Sequence, residues 1–249
     1  MPLRFESLYL DDVPRDGRVV DFFDPAGAPR EKAFFFVHGG GWRAGSRSIF
    51  HPIIKALVDR GYACATTDYR LGGVHLSEQV ADVREAYGAF SRRLAAAGRP
   101  LRAVVHGGSA GAHLAALLAL AGPEKPCGLS LANGPSTFEP WPDIFPGIWA
   151  SMQDIMGVPW ETHPERYREA SPIHHIRAGH PPILFMHAEN EHMFPLAQTL
   201  RLQRAVETCG GRMEIRQYPA MEHGFFYSLE RPQQRAALED LVAFAESIP

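Results

Sequence analysis

Short apolar runs alternate with amphipathic segments along most of the 249-residue chain. One run, Ala33-Phe34-Phe35-Phe36-Val37, is apolar throughout, which is typical of a strand covered on both faces of a sheet. The first two runs are interpreted as strands joined by a turn at residues 14–17. In all, the pattern predicts eight strands, at residues 8–10, 18–23, 33–37, 62–67, 101–106, 128–132, 182–187 and 213–218.

The amphipathic segments between these runs predict helices that cover the sheet. Ser77 is a candidate N-cap for a helix with one apolar face, formed by Val80, Val83, Tyr87, Phe90 and Leu94. Further helices are predicted at residues 48–60 and 112–121, and two more begin near Pro195 and Pro232. This alternation predicts an α/β protein with a mostly parallel, doubly wound sheet in a single domain over residues 1–249.

Residues 135–172 interrupt the alternation and are predicted to be irregular. They contain Trp141, Trp149 and Trp160, with prolines at positions 140, 142, 146 and 159. Long loops in compact domains often carry function. We therefore interpret this segment as a short lid or pocket wall, the alternative being a loop that packs its aromatic residues against the body of the domain.

Composition narrows the class of protein without indicating a chemistry. The chain is 45% hydrophobic and 21% charged, both near the globular average, and its formal net charge is −3. No basic field favours nucleic acid or an anionic membrane, and the first residues lack the design of a signal peptide, so we expect a cytoplasmic protein. Three cysteines form no disulfide framework and lack metal-ligand spacing, namely Cys64, Cys127 and Cys209.

The sequence Gly107-Gly108-Ser109-Ala110-Gly111 lies between a predicted strand and a predicted helix. In that context the pattern is typical of a nucleophile elbow, a sharp turn that holds the serine clear of the sheet. Small neighbours are needed because the backbone passes close to itself, and the helix directs its N-terminal amides toward developing negative charge. A glycine-rich strand-to-helix turn without chemistry is the alternative.

A second glycine-rich motif, His38-Gly39-Gly40-Gly41-Trp42, directly follows the apolar strand at residues 33–37. Three consecutive glycines carry a high cost in backbone entropy. They are understandable if backbone amides must approach a ligand closely, as the donors of an oxyanion hole do. A flexible turn is the alternative, and the serine motif later in the chain favours the oxyanion hole.

The two motifs together resemble the α/β-hydrolase esterases of the hormone-sensitive-lipase-like type, which carry HGGG and GxSAG. The stretch Asp68-Tyr69-Arg70-Leu71 strengthens the resemblance, which runs from about Phe34 to Phe226. It implies the α/β-hydrolase fold and serine-dependent hydrolysis, in a compact form similar to acetyl and feruloyl esterases and to kynurenine formamidase.

The resemblance also implies roles for individual residues. Ser109 would be the nucleophile, and the amides of Gly40, Gly41 and Ala110 would bind the oxyanion. No metal and no organic cofactor is expected. The partner would be a small-molecule ester, and the protein would be a monomer or a homodimer.

The catalytic histidine and acid are expected later in the chain. His223 lies in a segment similar to the HGF segment of these esterases, and it follows the last predicted strand. For the acid, Glu191 occupies the position where the family usually has aspartate. A glutamate can also orient an imidazole, although it is one methylene longer, so the loop must retreat slightly. Glu189 is the rival candidate.

The substrate is the least determined part. The chain has little room for the large cap of many relatives, so an open site with a minimal lid is expected. Its walls are predicted to include five aromatic side chains, those of Trp42, Phe138, Trp141, Trp149 and Phe225. We expect a carboxylesterase for short-chain acyl esters, with acetylated or feruloylated carbohydrates as a natural class. An arylformamidase and a catalytically idle, ligand-binding relative are the alternatives.

Overall fold

A computed structural model of the chain describes residues 3–11, 17–25 and 27–249. It contains eight strands: β1 Glu6–Tyr9, β2 Val19–Phe23, β3 Ala33–Val37, β4 Ala63–Thr67, β5 Ala103–Gly108, β6 Gly128–Ala132, β7 Ile183–Asn190 and β8 Met213–Glu222. The helices are α1 His51–Val58, α2 Leu76–Ala96, α3 Ala110–Ala121, α4 Pro146–Met156, α5 Pro164–Glu169, α6 Leu196–Thr208 and α7 Pro232–Glu246. All eight predicted strands are therefore confirmed, whereas most of the turn predicted at residues 14–17 lies outside the described residues.

The strands form one sheet in the order β1-β2-β4-β3-β5-β6-β7-β8. Strands β1 and β2 pair in antiparallel fashion, and β2 is antiparallel to β4, whereas every later pair is parallel. The register pairs Val37 at the end of β3 with Gly107 in β5. Because parallel strands end at the same edge, the HGGGW loop and the serine turn leave the sheet side by side.

The core lies on both faces of this sheet, as the continuous apolar runs predict. Alternate residues of β3 point to opposite faces: Phe35 packs with α2 and α3, while Phe34 and Phe36 pack with α1 and α7. All three rings are fully buried. The sheet is thus covered on both faces. Because a sheet packed in this way is rigid, it holds the loops at its carboxyl edge in defined positions.

Two predictions about the helices are wrong. Helix α2 begins at Leu76, so Ser77 lies inside it; the first turn is instead closed by Glu78, whose carboxylate accepts the His75 amide at 2.9 Å. Residues 135–172 are not irregular, since they contain α4 and α5. Pro146 and Pro164 occupy the first turn of α4 and of α5, where a missing N–H group costs no hydrogen bond.

Candidate active site

Ser109 sits in a strained turn between β5 and α3. Its backbone has φ 55° and ψ −123°, a combination that few L-residues adopt. The turn closes only because its neighbours are glycines: a Cβ atom at Gly107 would overlap the carbonyl of Gly111, and one at Gly111 would overlap that of Val37. The turn therefore projects the Ser109 side chain above the carboxyl edge of the sheet.

His223 reaches this serine from the loop after β8. Its Nε2 lies 2.8 Å from the Ser109 Oγ, and its Nδ1 lies 2.7 Å from the Oε2 of Glu191. A carboxylate only accepts hydrogen bonds, so the Nδ1 position carries the proton and Nε2 accepts the serine hydroxyl. This tautomer is the one that can remove a proton from Ser109.

Glu191 is held by the loop after β7. Its side chain is fully buried, and its Oε1 accepts the amides of Met193 at 2.7 Å and Phe194 at 3.2 Å. Burial alone would raise the pKa of this carboxyl, but the hydrogen bonds from His223 and the two amides outweigh it and lower the pKa. Glu191 is therefore ionised near neutral pH.

Glu189, the rival acid, lies near the end of β7. It is exposed, and its Oε2 accepts the amide of Ala220 at 2.8 Å, which joins the ends of β7 and β8. The structure thus brings Glu191, and not Glu189, to His223.

The HGGGW loop needs glycine for its shape. Gly40 and Gly41 have φ angles of 128° and 59°, and a Cβ atom at Gly40 would overlap the carbonyl of Ala44. The loop stays close to the serine turn, since an ideal Cβ at Gly39 would lie 3.0 Å from the Cβ of Ser109. Ala110 begins α3, so its amide belongs to the first turn, which has no partner within the helix.

Contacts from Tyr69 and from α2 hold the HGGGW loop in place. His38 stacks on Tyr69 with ring centroids 4.4 Å apart, and the Tyr69 hydroxyl donates to the His38 carbonyl at 2.9 Å. Gln79 on α2 donates to the Trp42 carbonyl at 2.7 Å. Tyr69 belongs to the Asp68-Tyr69-Arg70-Leu71 stretch, so that stretch helps to hold the loop in place.

Two of the predicted pocket residues are core residues instead, which corrects the prediction. Trp42 is 1% exposed and Phe138 is 0% exposed, and their rings pack edge to face at 5.1 Å. A substrate has no surface of these two side chains to contact. They lie beneath the site because the loop after Gly41 turns the Trp42 side chain inward, toward α3.

The other three aromatic residues have different surroundings. Trp141 is partly exposed and contacts Phe194, whose ring lies 5.8 Å from that of His223. Trp149 packs on Tyr167, with the ring centroids 5.7 Å apart. Phe225 is largely buried and lines a cavity of about 10 Å³ beneath Ser109.

Sequence reasoning missed Tyr227, four positions after His223. An ideal Cβ at Gly39 and one at Gly108 would each lie 2.5 Å from the Tyr227 hydroxyl oxygen. This single hydroxyl therefore fills the space that both glycines leave, between the HGGGW loop and the serine turn. Nothing in the sequence marks Tyr227, because the two contacts join residues more than one hundred positions away.

Sequence reasoning also missed a link between the segment 135–172 and the HGGGW loop. Arg43 donates to the Ser151 hydroxyl at 2.7 Å, which places the middle of α4 beside the residue after Trp42. The two residues are on different elements and share no sequence signal.

The sheet order and the strand-serine-helix turn define the α/β-hydrolase fold. The chain belongs to the BD-FAE family, whose family model matches residues 20–206. In the described part of the chain, no helix has the length and apolarity needed to cross a membrane.

Comparison with characterised proteins gives relatives that are esterases by name. The chain is 27% identical over 246 residues to esterase LipC of Mycobacterium tuberculosis, and 26% identical over 219 residues to esterase LipQ of the same organism. These matches cover 89% and 81% of this chain, but only 60% and 52% of the relatives. The chain thus spans little more than half the length of these two relatives.

Solved structures match over nearly the whole chain. Thermogutta terrifontis esterase 2, phosphoramylated by tabun, has a TM-score of 0.80 and 26% identity, covering 98% of this chain and 94% of that one. Esterase B from Lactobacillus rhamnosis has a TM-score of 0.84 with 18% identity, covering 99% and 86%, and this likeness shows the fold alone.

Proposed function

We propose that this protein is a serine-dependent carboxylic ester hydrolase for short-chain acyl esters. The observation that carries the proposal is the unbroken hydrogen-bonded series from Ser109 through His223 to Glu191, at 2.8 and 2.7 Å. The names of the relatives support the reaction class, and the chain's membership of the BD-FAE family is consistent with it.

In the proposed first step, the Ser109 Oγ attacks the ester carbonyl carbon while His223 Nε2 takes the hydroxyl proton. The carbonyl oxygen becomes an oxyanion, which the amides of Gly40, Gly41 and Ala110 bind. Collapse of this intermediate breaks the bond to the alcohol oxygen, and His223 returns the proton to the leaving alcohol. Ser109 then carries the acyl group as an ester.

In the second step, water attacks the acyl carbon, and His223 takes a proton from the attacking water. Collapse of the second tetrahedral intermediate releases the carboxylic acid and returns the proton to Ser109. Glu191 keeps its charge throughout, because its lowered pKa leaves it ionised; it fixes the imidazole tautomer and stabilises the imidazolium.

A short acyl group is proposed because the cavity beneath Ser109 is small. Its volume of about 10 Å³ has room for about one water molecule, and no room for an alkyl chain. We propose that the acyl group instead lies in an open cleft at the partly exposed Ser109, where a long alkyl chain would stay in contact with water and gain little binding free energy. Structures of the Thermogutta esterase, 27% identical to this chain, hold bound propionate and bound butyrate, which agrees with short acids.

We also propose that the whole chain is one hydrolase domain in which residues 135–172 form a wall of that cleft. Two contacts support this role: Arg43 to Ser151 on the side of the HGGGW loop, and Trp141 to Phe194 on the side of His223. The segment thus borders both halves of the site, and we propose that the cleft is open enough for bulky alcohols, as in acetylated or feruloylated carbohydrates.

A panel of p-nitrophenyl acetate, butyrate, hexanoate and dodecanoate tests the proposal, with acetylated and feruloylated sugars as a second arm. We expect kcat/KM to be highest for acetate or butyrate and to fall steeply by dodecanoate, and Ser109→Ala to abolish turnover in a folded protein. N-formylkynurenine forms the third arm. Rapid deformylation with feeble ester hydrolysis would replace the esterase proposal with an arylformamidase.

A further inference from the structure

The imidazole of His113 connects three parts of the molecule and has no place in the proposed reaction. His113 lies on α3, three residues after Ala110, and Trp42 directly follows Gly41. The indole Nε1 of Trp42 donates to His113 Nδ1 at 3.3 Å, and His113 Nε2 lies 2.7 Å from the carbonyl oxygen of Ala170. One ring therefore joins the HGGGW loop, the helix behind Ser109 and the end of the segment 135–172.

The hydrogen bonds of this ring allow a single tautomer. An indole N–H group only donates, so His113 Nδ1 must accept, and the proton is at Nε2, where it is donated to Ala170. Burial lowers the pKa of His113 to about 3, so the ring is neutral at any pH at which the protein is expected to work. Both ring nitrogens therefore have a hydrogen-bond partner: Nδ1 accepts from Trp42, and Nε2 donates to Ala170.

Packing holds the ring as firmly as its hydrogen bonds do. Phe138 stacks on His113 with centroids 4.1 Å apart and planes 14° apart, and the Trp42 ring meets His113 edge to face at 5.6 Å. Trp42 itself has a φ of 61°, in the left-handed region that an aromatic residue seldom adopts. Such a conformation persists only where the surroundings impose it, and it often occurs at functional sites.

We propose that His113 is a positioning residue: its hydrogen bond to Trp42 fixes the direction in which the oxyanion-binding amides point. This inference rests on the proposed esterase function. Two of those amides precede Trp42 in the loop, and the third precedes His113 on α3. The Trp42–His113 bond therefore sets the separation and rotation of the two halves of the oxyanion hole. Without it, Trp42 can leave its left-handed conformation and turn the peptide that joins it to Gly41.

The consequence is specific to the transition state. The oxyanion exists only after attack, so a misdirected donor lowers kcat while the KM for a neutral ester changes little. Complete removal of one oxyanion donor commonly costs 10²- to 10³-fold in kcat, and a donor that is present but misdirected should cost about 10- to 100-fold.

The test compares variants that break the bond with one that restores an acceptor. Trp42→Phe keeps an aromatic ring but removes the N–H donor, and His113→Leu removes the acceptor. His113→Asn places an amide oxygen near the position of Nδ1. We expect kcat for p-nitrophenyl acetate to fall about 10-fold or more in the first two, with KM within about 2-fold, and to be largely restored in His113→Asn. The double variant should be no slower than His113→Leu, because both changes break the same bond.

Two control variants separate positioning from stability. Trp160→Phe makes the same side-chain change in a tryptophan that packs on Tyr167. His106→Leu removes another buried imidazole, which bonds Ser130 on the opposite face of the sheet. We expect both to keep the wild-type kcat at temperatures well below their Tm.

The outcomes distinguish this inference from the proposed function. If the wild type hydrolyses esters and both Trp42→Phe and His113→Leu keep its kcat, the positioning role is wrong and the esterase proposal stands. If His113→Asn is as slow as His113→Leu, packing rather than the hydrogen bond is responsible, and the inference is again overturned. If the wild type hydrolyses no ester, the proposed function fails first and the inference fails with it.

Discussion

The carboxylate of Glu191 lies 2.7 Å from Nδ1 of His223, and its second oxygen accepts two backbone amides. Both oxygens are thus engaged, and the longer glutamate side chain reaches the imidazole without leaving an oxygen unsatisfied. The loop after β7 therefore suits glutamate at the position where the hormone-sensitive-lipase-like family usually has aspartate.

We expect Glu191→Gln to lower kcat on the order of 10³-fold or more while KM changes little. An amide at this position can donate to Nδ1 and stabilise the tautomer that has no lone pair at Nε2 for the Ser109 proton, and it no longer stabilises the imidazolium. The measurement is steady-state hydrolysis of p-nitrophenyl acetate. Glu191→Asp should retain more activity than Glu191→Gln, because it keeps the negative charge. Its shorter side chain leaves a gap to His223, so its activity should stay below that of the wild type.

Glu189→Gln is the matched control, since this carboxylate joins β7 to β8 through the Ala220 amide and does not contact His223. Its kcat should stay within a few-fold of the wild-type value. A severe loss in Glu189→Gln together with an active Glu191→Gln would assign the acid to Glu189.

Tyr227 and Gly108 should show a coupled effect on stability. An ideal Cβ at Gly108 would lie 2.5 Å from the Tyr227 hydroxyl oxygen and no closer than 3.0 Å to the ring carbons, so Gly108→Ala forces the tyrosine to move. Removing the hydroxyl in Tyr227→Phe should restore part of the Tm lost in Gly108→Ala.

Gly39→Ala serves as the comparison for this pair. A Cβ there would also lie 2.7 Å from the Gly108 carbonyl oxygen, a backbone contact that Tyr227→Phe does not relieve. The double-mutant coupling should therefore be smaller for Gly39 than for Gly108. If the Tm losses of Gly108→Ala and of Gly39→Ala are each simply additive with that of Tyr227→Phe, the hydroxyl does not occupy the space between the two turns.

Stability should decrease as the pH falls from 7.5 to 5, partly because of two buried histidines. Burial lowers the pKa of His106 and of His113 to about 3, whereas both return to about 6.5 in the unfolded chain. Below pH 6.5 the unfolded state therefore binds more protons than the folded state, and the free energy of unfolding falls. Each histidine should account for about 2 kcal/mol at pH 5.

Urea unfolding of the wild type, His106→Leu and His113→Leu at the two pH values measures this effect. Between pH 7.5 and pH 5, the free energy of unfolding should fall by about 2 kcal/mol less in each variant than in the wild type, whatever the variant's stability at pH 7.5. Burial also lowers the pKa of His38 and His187, so a residual loss of the same sign should remain. An identical pH dependence in all three proteins would contradict the assignment.

Trp141 should influence substrate choice more than rate. It contacts Phe194, which contacts His223, and it is the partly exposed aromatic residue of the segment 135–172 on that side of the site. Trp141→Ala should shift the ratio of kcat/KM for p-nitrophenyl hexanoate over acetate by several-fold, with kcat for acetate little changed. Trp160→Ala, on the Tyr167 side of the segment, should leave the ratio at its wild-type value.

The strands were predictable because periodicity and apolar runs depend on local sequence. Phe34, Phe35 and Phe36 are buried on alternate faces, as a doubly covered strand requires. The helices α4 and α5 were missed because their prolines suggested breaks, whereas each proline that begins one of these helices stabilises its first turn.

The candidate site was likewise predictable only where its residues belong to local motifs. Motifs carried enough information to select Ser109, His223 and Glu191 as candidates, because their chemistry requires particular residue types in a fixed order. The sequence predicts Trp42 and Phe138 as pocket residues, because an aromatic residue near a site can either line the pocket or pack in the core. Only the direction of the loop shows that both are buried. Tyr227 and His113 act through contacts between distant parts of the chain, which no local pattern encodes.

The most direct test of the central claim is the reaction of the folded protein with a fluorophosphonate, followed by intact-mass and peptide mass spectrometry. Ser109 should carry one phosphonyl group per chain, Ser109→Ala should remain unmodified, and Glu191→Gln should react much more slowly. A folded wild type that is not modified at Ser109 would contradict the account and would favour a catalytically idle, ligand-binding protein.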